Sequence, residues 1–272
     1  MQSFSLSPAA LASSPWRNRE LLAALSRRDV VGRYRGSLMG LAWSFLHPLV
    51  MLAVYTFVFG VVFRARWDSA SGSTAEFALV LFAGLLVFNV FAECVNRAPT
   101  LVLANPGYVK KVVFPLEVLP WVSLAAALFH LAIGLVVWLA FYAVLIGVPH
   151  ATVLWLPLVL VPLAFLTLGV SWFFAALAVY LRDVAHVVGV GTTALLFMTP
   201  VFFPLSALPS AMQPWLRLNP LTDIVEMTRE VLVAGHAPDA GRLAVMIATS
   251  LAVAWLGFAW FQRTRRGFAD VL

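Results

Sequence analysis

The stretch RRDVVGRYRGSLMGLAWSFLHPLVMLAVYTFVFGVVF (residues 27–63) changes character midway. Arg27, Arg28, Arg33 and Arg35 crowd its first part, and from Leu38 to Phe63 it runs apolar. Roughly 20 apolar residues suffice to cross a bilayer as a helix, because each residue advances about 1.5 Å. The run is therefore read as a first membrane span, and the arginines as the charges that hold its beginning on one side. Gly32, Gly36 and Gly40 recur every fourth residue across the junction. On a continuous helix they share one face, where small residues let another backbone come close.

Composition extends this reading to the whole chain. Of 272 residues, 62% are apolar and only 11% charged, and the mean hydropathy is +0.94. Soluble domains carry about a quarter charged residues. Several apolar runs of spanning length in a chain this short indicate an all-α integral membrane protein. The formal charge of +6 is explained by topology rather than by nucleic acid, since the basic residues fall between the apolar runs. Cys94 is the single cysteine, which excludes an intrachain disulfide and a Cys-pair metal motif. Residues 1–16 lack the pattern of a cleaved signal peptide, so the first span is expected to be retained.

Six spans are expected, at about 38–63, 77–96, 118–147, 153–180, 186–204 and 242–262, as one transmembrane domain over 38–272. An even number puts both termini on one side. That side then carries 13 of the Arg and Lys residues and the other side five, which places both termini in the cytoplasm. Residues 1–37 form a cytoplasmic N-terminal segment. In it, Leu21, Leu22 and Leu25, flanked by Arg17, Arg27 and Arg28, suggest an amphipathic helix in the membrane interface; a plain basic anchor is the alternative. Residues 205–240 contain Pro209, Pro214, Pro220 and Pro238, yet also apolar pieces too short to span. A re-entrant pair of short helices fits this segment better than one helix lying flat on the surface.

The chemistry expected of an engine is missing. No G-x-x-x-x-G-K-[ST] occurs, the only lysines being Lys110 and Lys111, and no H-E-x-x-H or G-x-S-x-G. No catalytic set, metal site or cofactor is expected on this chain. The five histidines read as packing or loop residues. Glu93 is the one plausible intramembrane carboxylate, and Arg97, four residues on, is its expected partner. A proton-driven pump usually needs more such groups, so the energy source is sought on another polypeptide. The loop at 96–120 is punctuated by Pro99, Pro106 and Pro115, and sets Lys110 and Lys111 beside Tyr108 and Phe114. It is either a basic loop obeying the charge rule or a short helix that inserts into an ATPase.

These residues together carry a family resemblance. The opening stretch, NPGYVKKVVFPLEVLP (105–120), YLRDV (180–184) and LNPLTDIVEMTRE (218–230) resemble, in the same order, the permease subunits of polysaccharide ABC exporters of the type-2 class, which export O-antigen, capsule or teichoic acid chains. The resemblance implies a homodimer of six-span subunits in the bacterial inner membrane. Two separate ATPase subunits would hold ATP and magnesium, and the substrate would be a lipid-linked polysaccharide. Membrane lipids and periplasmic export machinery are further implied partners. Arg33, Tyr34 and Arg35 would lie at the cytoplasmic entrance, where a substrate phosphate meets guanidinium groups. Gly36 and Gly40 would permit close helix packing there. Asn105, Pro106, Tyr108, Lys110, Lys111 and Phe114 would form the ATPase-coupling loop. Tyr55, Phe59 and Phe63, four apart on the first span, offer one aromatic stripe on which sugar rings could stack. A drug or lipid exporter of the same class is the nearest alternative; a membrane-embedded glycolipid-processing enzyme fits less well, for want of acid–base or metal groups.

Overall fold

A computed structural model describes residues 6–40, 42–58, 74–109 and 114–272. Among the described residues the chain is all-helical. Its elements are α1 (Pro8–Arg17), α2 (Arg19–Tyr34), α3 (Ala42–Tyr55), α4 (Thr74–Leu103), α5 (Pro106–Val109), α6 (Leu119–Leu145), α7 (Leu156–Tyr180), α8 (Val184–Met198), α9 (Gln213–Arg217), α10 (Pro220–Arg229), α11 (Ala240–Thr264) and α12 (Phe268–Val271). Four segments are long and apolar enough to cross a membrane, namely Ala75–Leu103, Leu116–Leu145, Ala151–Tyr180 and Ala240–Val271. Two of the six expected spans appear as shorter apolar helices, Ala42–Val58 and Val184–Met198. The far end of the first expected span, with Phe59 and Phe63, lies outside the described residues. The fifth stops early because Pro200 drives Thr199 out of helical geometry, to φ −94° and ψ 139°.

α4 is the axis of the bundle. From Phe77 to Phe91 every residue but Asn89 is buried, the pattern of a helix enclosed on all sides. It packs against α6, α7, α8 and α10. Indole N–H groups tie the bundle across its layers. Trp138 on α6 donates to the Leu79 carbonyl at 2.9 Å, and Trp172 on α7 donates to the Glu117 carbonyl at 3.1 Å. Such bonds satisfy buried donors that would otherwise cost free energy in an apolar interior.

α7 and α11 form the tightest helix pair. Gly169 and Gly257 face each other where they cross. A Cβ on Gly257 would overlap the Gly169 carbonyl, and one on Gly169 would lie 2.5 Å from the Val253 carbonyl oxygen. This close approach through small residues is the device expected of the opening glycines, but it sits elsewhere. That expectation is corrected at its starting point. α2 ends at Tyr34, so Gly32, Gly36 and Gly40 do not share a helical face. Gly36 and Gly40 have φ of 84° and 51°, which glycine adopts without steric penalty, and they turn the chain between α2 and α3.

The 205–240 segment contains two short helices, α9 and α10. α10 begins with Pro220 at its first turn, capped by Asn219, whose side-chain oxygen accepts from the Leu221 amide at 3.1 Å. Leu221, Ile224, Val225 and Met227 are buried, and the helix lies against α4 and α7. Arg229 at its end is also buried, with its guanidinium donating to the carbonyls of Val80, Pro200 and Val201. One planar fork thus satisfies two carbonyls at the broken end of α8 and one on α4. Arg242 pairs with Asp223 at 2.6 Å and Glu230 at 3.0 Å, fastening α10 to the start of α11.

Candidate functional site

Three helix faces enclose a cavity of about 620 Å³. α4 supplies Phe82, Leu86, Asn89, Glu93 and Asn96, a stripe at three- and four-residue spacing. α3 supplies Trp43, Ser44, His47, Met51 and Tyr55, and α6 supplies Ala127, His130 and Leu131. Arg33 and Tyr34, from the end of α2, close one side. The volume falls in the range of small-molecule pockets, about 300–1,000 Å³. Its lining is unusual for a helical bundle of this hydropathy: aromatic rings alternate with amides, imidazoles and one carboxylate.

The polar groups join into a network. Arg33 donates to Glu93, and its other terminal nitrogen lies 3.5 Å from Asp29. Glu93 accepts from His130 Nδ1 at 3.0 Å, and His130 Nε2 faces the Tyr34 hydroxyl at 3.0 Å. In a neutral imidazole, Nδ1 carries the proton given to Glu93, and Nε2 accepts from Tyr34. Arg97 clasps Asp29 with both terminal nitrogens, one bond being 2.5 Å. The expected Glu93–Arg97 pair is therefore corrected: Glu93 is taken by Arg33 and His130, and Arg97 by Asp29. Proximity along one helix loses here to a second helix that offers partners from the side. Burial pushes the Asp29 carboxyl up, but the Arg97 guanidinium, with Arg33 behind it, outweighs this and holds it below its ordinary value.

Asn89 is the exception within the network. It is exposed, it faces the cavity, and it has no hydrogen-bond partner among the described residues. An amide left open in mid-span is costly unless water or a ligand meets it. Asn96, one turn below Glu93, accepts from Thr192 of α8 at 2.8 Å, which leaves its amide N–H₂ for the cavity. Trp43 and His47 are also exposed there. Tyr55 lies at the other end, tilted against Phe202 with ring centroids 5.9 Å apart, and Phe202 in turn meets Phe197 at 5.6 Å.

Of the residues singled out in the sequence, Arg33, Tyr34 and Tyr55 thus line one cavity. Arg35 stands apart at the end of α2, exposed and without an ion pair among the described residues. The proposed coupling loop is placed in part. Asn105 donates to the Leu101 carbonyl at 2.9 Å, closing α4, and Pro106 opens α5. Tyr108 and Phe114 stack at 4.1 Å, nearly parallel, and Arg28 of α2 donates to the Tyr108 hydroxyl at 2.9 Å. Lys110 and Lys111 lie outside the described residues. The leucine stripe of α2 finds its partner within the chain, since Leu25, with Leu21 and Leu22, packs on Val118, Val122 and Phe114. Arg265 secures the same corner, donating to Glu117 at 2.6 Å and to the Phe114 carbonyl at 2.6 Å.

Asn89, Asn96, Trp43, His47 and His130 were not foreseen as site residues. A signal existed for the first two. Asn89, Glu93 and Asn96 are spaced four and three apart in an otherwise apolar run, which puts three polar groups on one face of a spanning helix.

The fold is an apolar helical bundle with a polar cavity between its helices, and the chain belongs to the ABC-2 type transporter family, whose model matches residues 20–233. It is 30% identical over 257 residues to the O-antigen export system permease protein RfbA of Myxococcus xanthus, covering 94% of this chain and 96% of that one. It is 26% identical over 254 residues to the RfbA permease of Klebsiella pneumoniae, covering 93% and 95%. It is also similar to the polysialic acid transport protein KpsM of Escherichia coli, at 25% identity over 248 residues, covering 89% and 92%.

Proposed function

We propose that this chain is the permease subunit of an ATP-driven exporter that moves a lipid-linked polysaccharide across the bacterial inner membrane. The carrying observation is the cavity, read beside the full-length similarity to an O-antigen export permease. Sugar rings present apolar faces that stack on aromatic side chains, and hydroxyls that seek amides and carboxylates. Trp43, Tyr34 and Tyr55 supply the first, and Asn89, Asn96 and Glu93 the second. The charges of Arg33 and Glu93 cancel within the cavity, which suits uncharged hydroxyl-rich units. The lipid phosphate is then left to Arg35 and its exposed neighbours at the turn.

In this reading the chain crosses the membrane six times, with Ala42–Val58 and Val184–Met198 as short crossings and α9–α10 as the re-entrant pair. Both termini are cytoplasmic, two copies assemble, and each meets a separate ATPase that binds ATP and magnesium. α2 and the Asn105–Phe114 loop form the ATPase-facing surface; the Arg28–Tyr108 bond supports their acting together. Because Arg33 lies at the far end of α2, a push on that surface reaches the cavity wall through one helix.

The test is a strain lacking this chain. Its surface polysaccharide is expected to vanish while lipid-linked chains accumulate inside, and the wild-type chain restores export. Unchanged surface polysaccharide refutes the reading.

A further inference from the structure

A second groove lies between α4, α7, α8 and α11, with a volume of about 690 Å³. Phe91 and Val95, Phe173, Leu195, Leu256 and Trp260 form its walls, and Thr192 is the only hydroxyl among its lining side chains. Thr192 turns that hydroxyl toward Asn96 and the backbone of its own helix. The groove is open: Leu256 is 60% exposed and Trp260 40%.

Its apolar walls and the charge beyond one end identify an occupant. The lining runs from Gly169 to Phe174 on α7, from Val187 to Leu195 on α8 and from Val253 to Trp260 on α11. At about 1.5 Å per residue these walls are roughly 8–12 Å long, short of half of a bilayer core about 30 Å thick. The groove therefore takes a stretch of an acyl chain rather than its whole length. At its outer end Trp260 stands where amphipathic rings favour the headgroup level. Arg263 follows on the same face of α11 one turn later, and Arg182 occupies the turn joining α7 to α8. Both arginines are exposed and form no ion pair among the described residues. With Asp183 counted, this rim keeps a net positive charge.

We infer that the groove is a binding site for one anionic glycerophospholipid of the surrounding bilayer, an acyl chain lying along α8 and α11 and the phosphate meeting Arg182 and Arg263. An apolar channel of this length fits part of an acyl chain. Two exposed guanidinium groups at the helix ends beyond Trp260 favour a phosphate without a compensating cation, since each basic group near the headgroups favours anionic lipid. The bound chain would fill the gap beside the Gly169–Gly257 crossing.

The experiment is native mass spectrometry of the full-length chain in detergent, titrated with phosphatidylglycerol or phosphatidylcholine. One tightly retained phosphatidylglycerol per chain is expected, preferred at least about fivefold over phosphatidylcholine. Arg182→Gln with Arg263→Gln should bring the two lipids to parity. Gly191→Leu should lower retention of both at least about fivefold. The last variant leaves the fold intact, because a Cβ at Gly191 meets nothing within 4 Å and the side chain projects into the groove. Equal retention of both lipids by the wild-type chain overturns the inference. So does a Gly191→Leu chain that keeps its lipid but dissociates from a dimer to a monomer, since the groove then houses a second copy.

Discussion

Arg33 bridges two carboxylates on different helices, Asp29 on its own and Glu93 on α4. A planar fork spans such a pair; an ammonium is a single point of charge. Arg33→Lys is therefore expected to loosen α2 from α4, whereas Arg35→Lys, at an unpaired exposed site, leaves stability unchanged. The coupling itself is measurable. Glu93→Gln and Arg33→Gln, alone and together, should give a double-mutant interaction of about 0.5–3 kcal/mol in detergent denaturation; strict additivity would remove the ion pair from the account. Asp29 makes a separate prediction with a definite sign. Its carboxyl is held below its ordinary value of 3.8 by Arg97 and Arg33. The stabilisation is therefore present above that value and is lost as pH falls through the lower, folded-state value. Protection of α2 backbone amides against exchange should drop with acid in that window in the wild type, and far less in Asp29→Asn. The arginines near Leu38 were legible as a cluster from sequence. Their partners were not, because Asp29, Glu93 and Arg97 sort themselves through helix packing that sequence distance does not encode.

Among the elements, α7 and α11 depend on glycine contact. Gly257→Leu must part the helices where Gly169 has no room to yield, and is expected to destabilise the solubilised chain by about 1–3 kcal/mol. Gly189→Ala, where a Cβ meets nothing within 4 Å, is the matched control and should be neutral. Equal stability of the two variants would contradict the close crossing. Periodicity pointed to the glycines at 32, 36 and 40, whereas Gly169 and Gly257 lie on separate helices with no such spacing. What separates the two groups is backbone conformation: Gly36 and Gly40 are in left-handed geometry, while Gly169 and Gly257 are inside helices. The long spans were legible because each is a long apolar run. The short helix α8 was over-read by several residues, since the apolar run continues past Pro200 while the helix does not. The buried role of α10 was partly legible in its alternation of Leu221, Ile224 and Val225 with Asp223 and Glu226.

For the molecule as a whole, topology joins three places: the Tyr108–Phe114 stack, α2 beside it, and the cavity at the far end of α2. The motifs at 27–63, 105–120, 180–184 and 218–230 made a transporter permease legible as a resemblance, and Tyr55 lines the cavity. The cavity itself was not legible, because it is assembled from α2, α3, α4 and α6, from Arg33 to Leu131 along the chain. The central claim is that a polysaccharide passes this cavity. It is tested most directly by placing a photoreactive amino acid at position Asn89, in cells that make the polysaccharide and the partner ATPase, and probing for a crosslink to glycan. The account predicts a glycan adduct at Asn89 that disappears when the ATPase is absent, and none at the outward-facing position Val144, which is 83% exposed on α6. Glycan adducts at Val144 but not at Asn89 would contradict it.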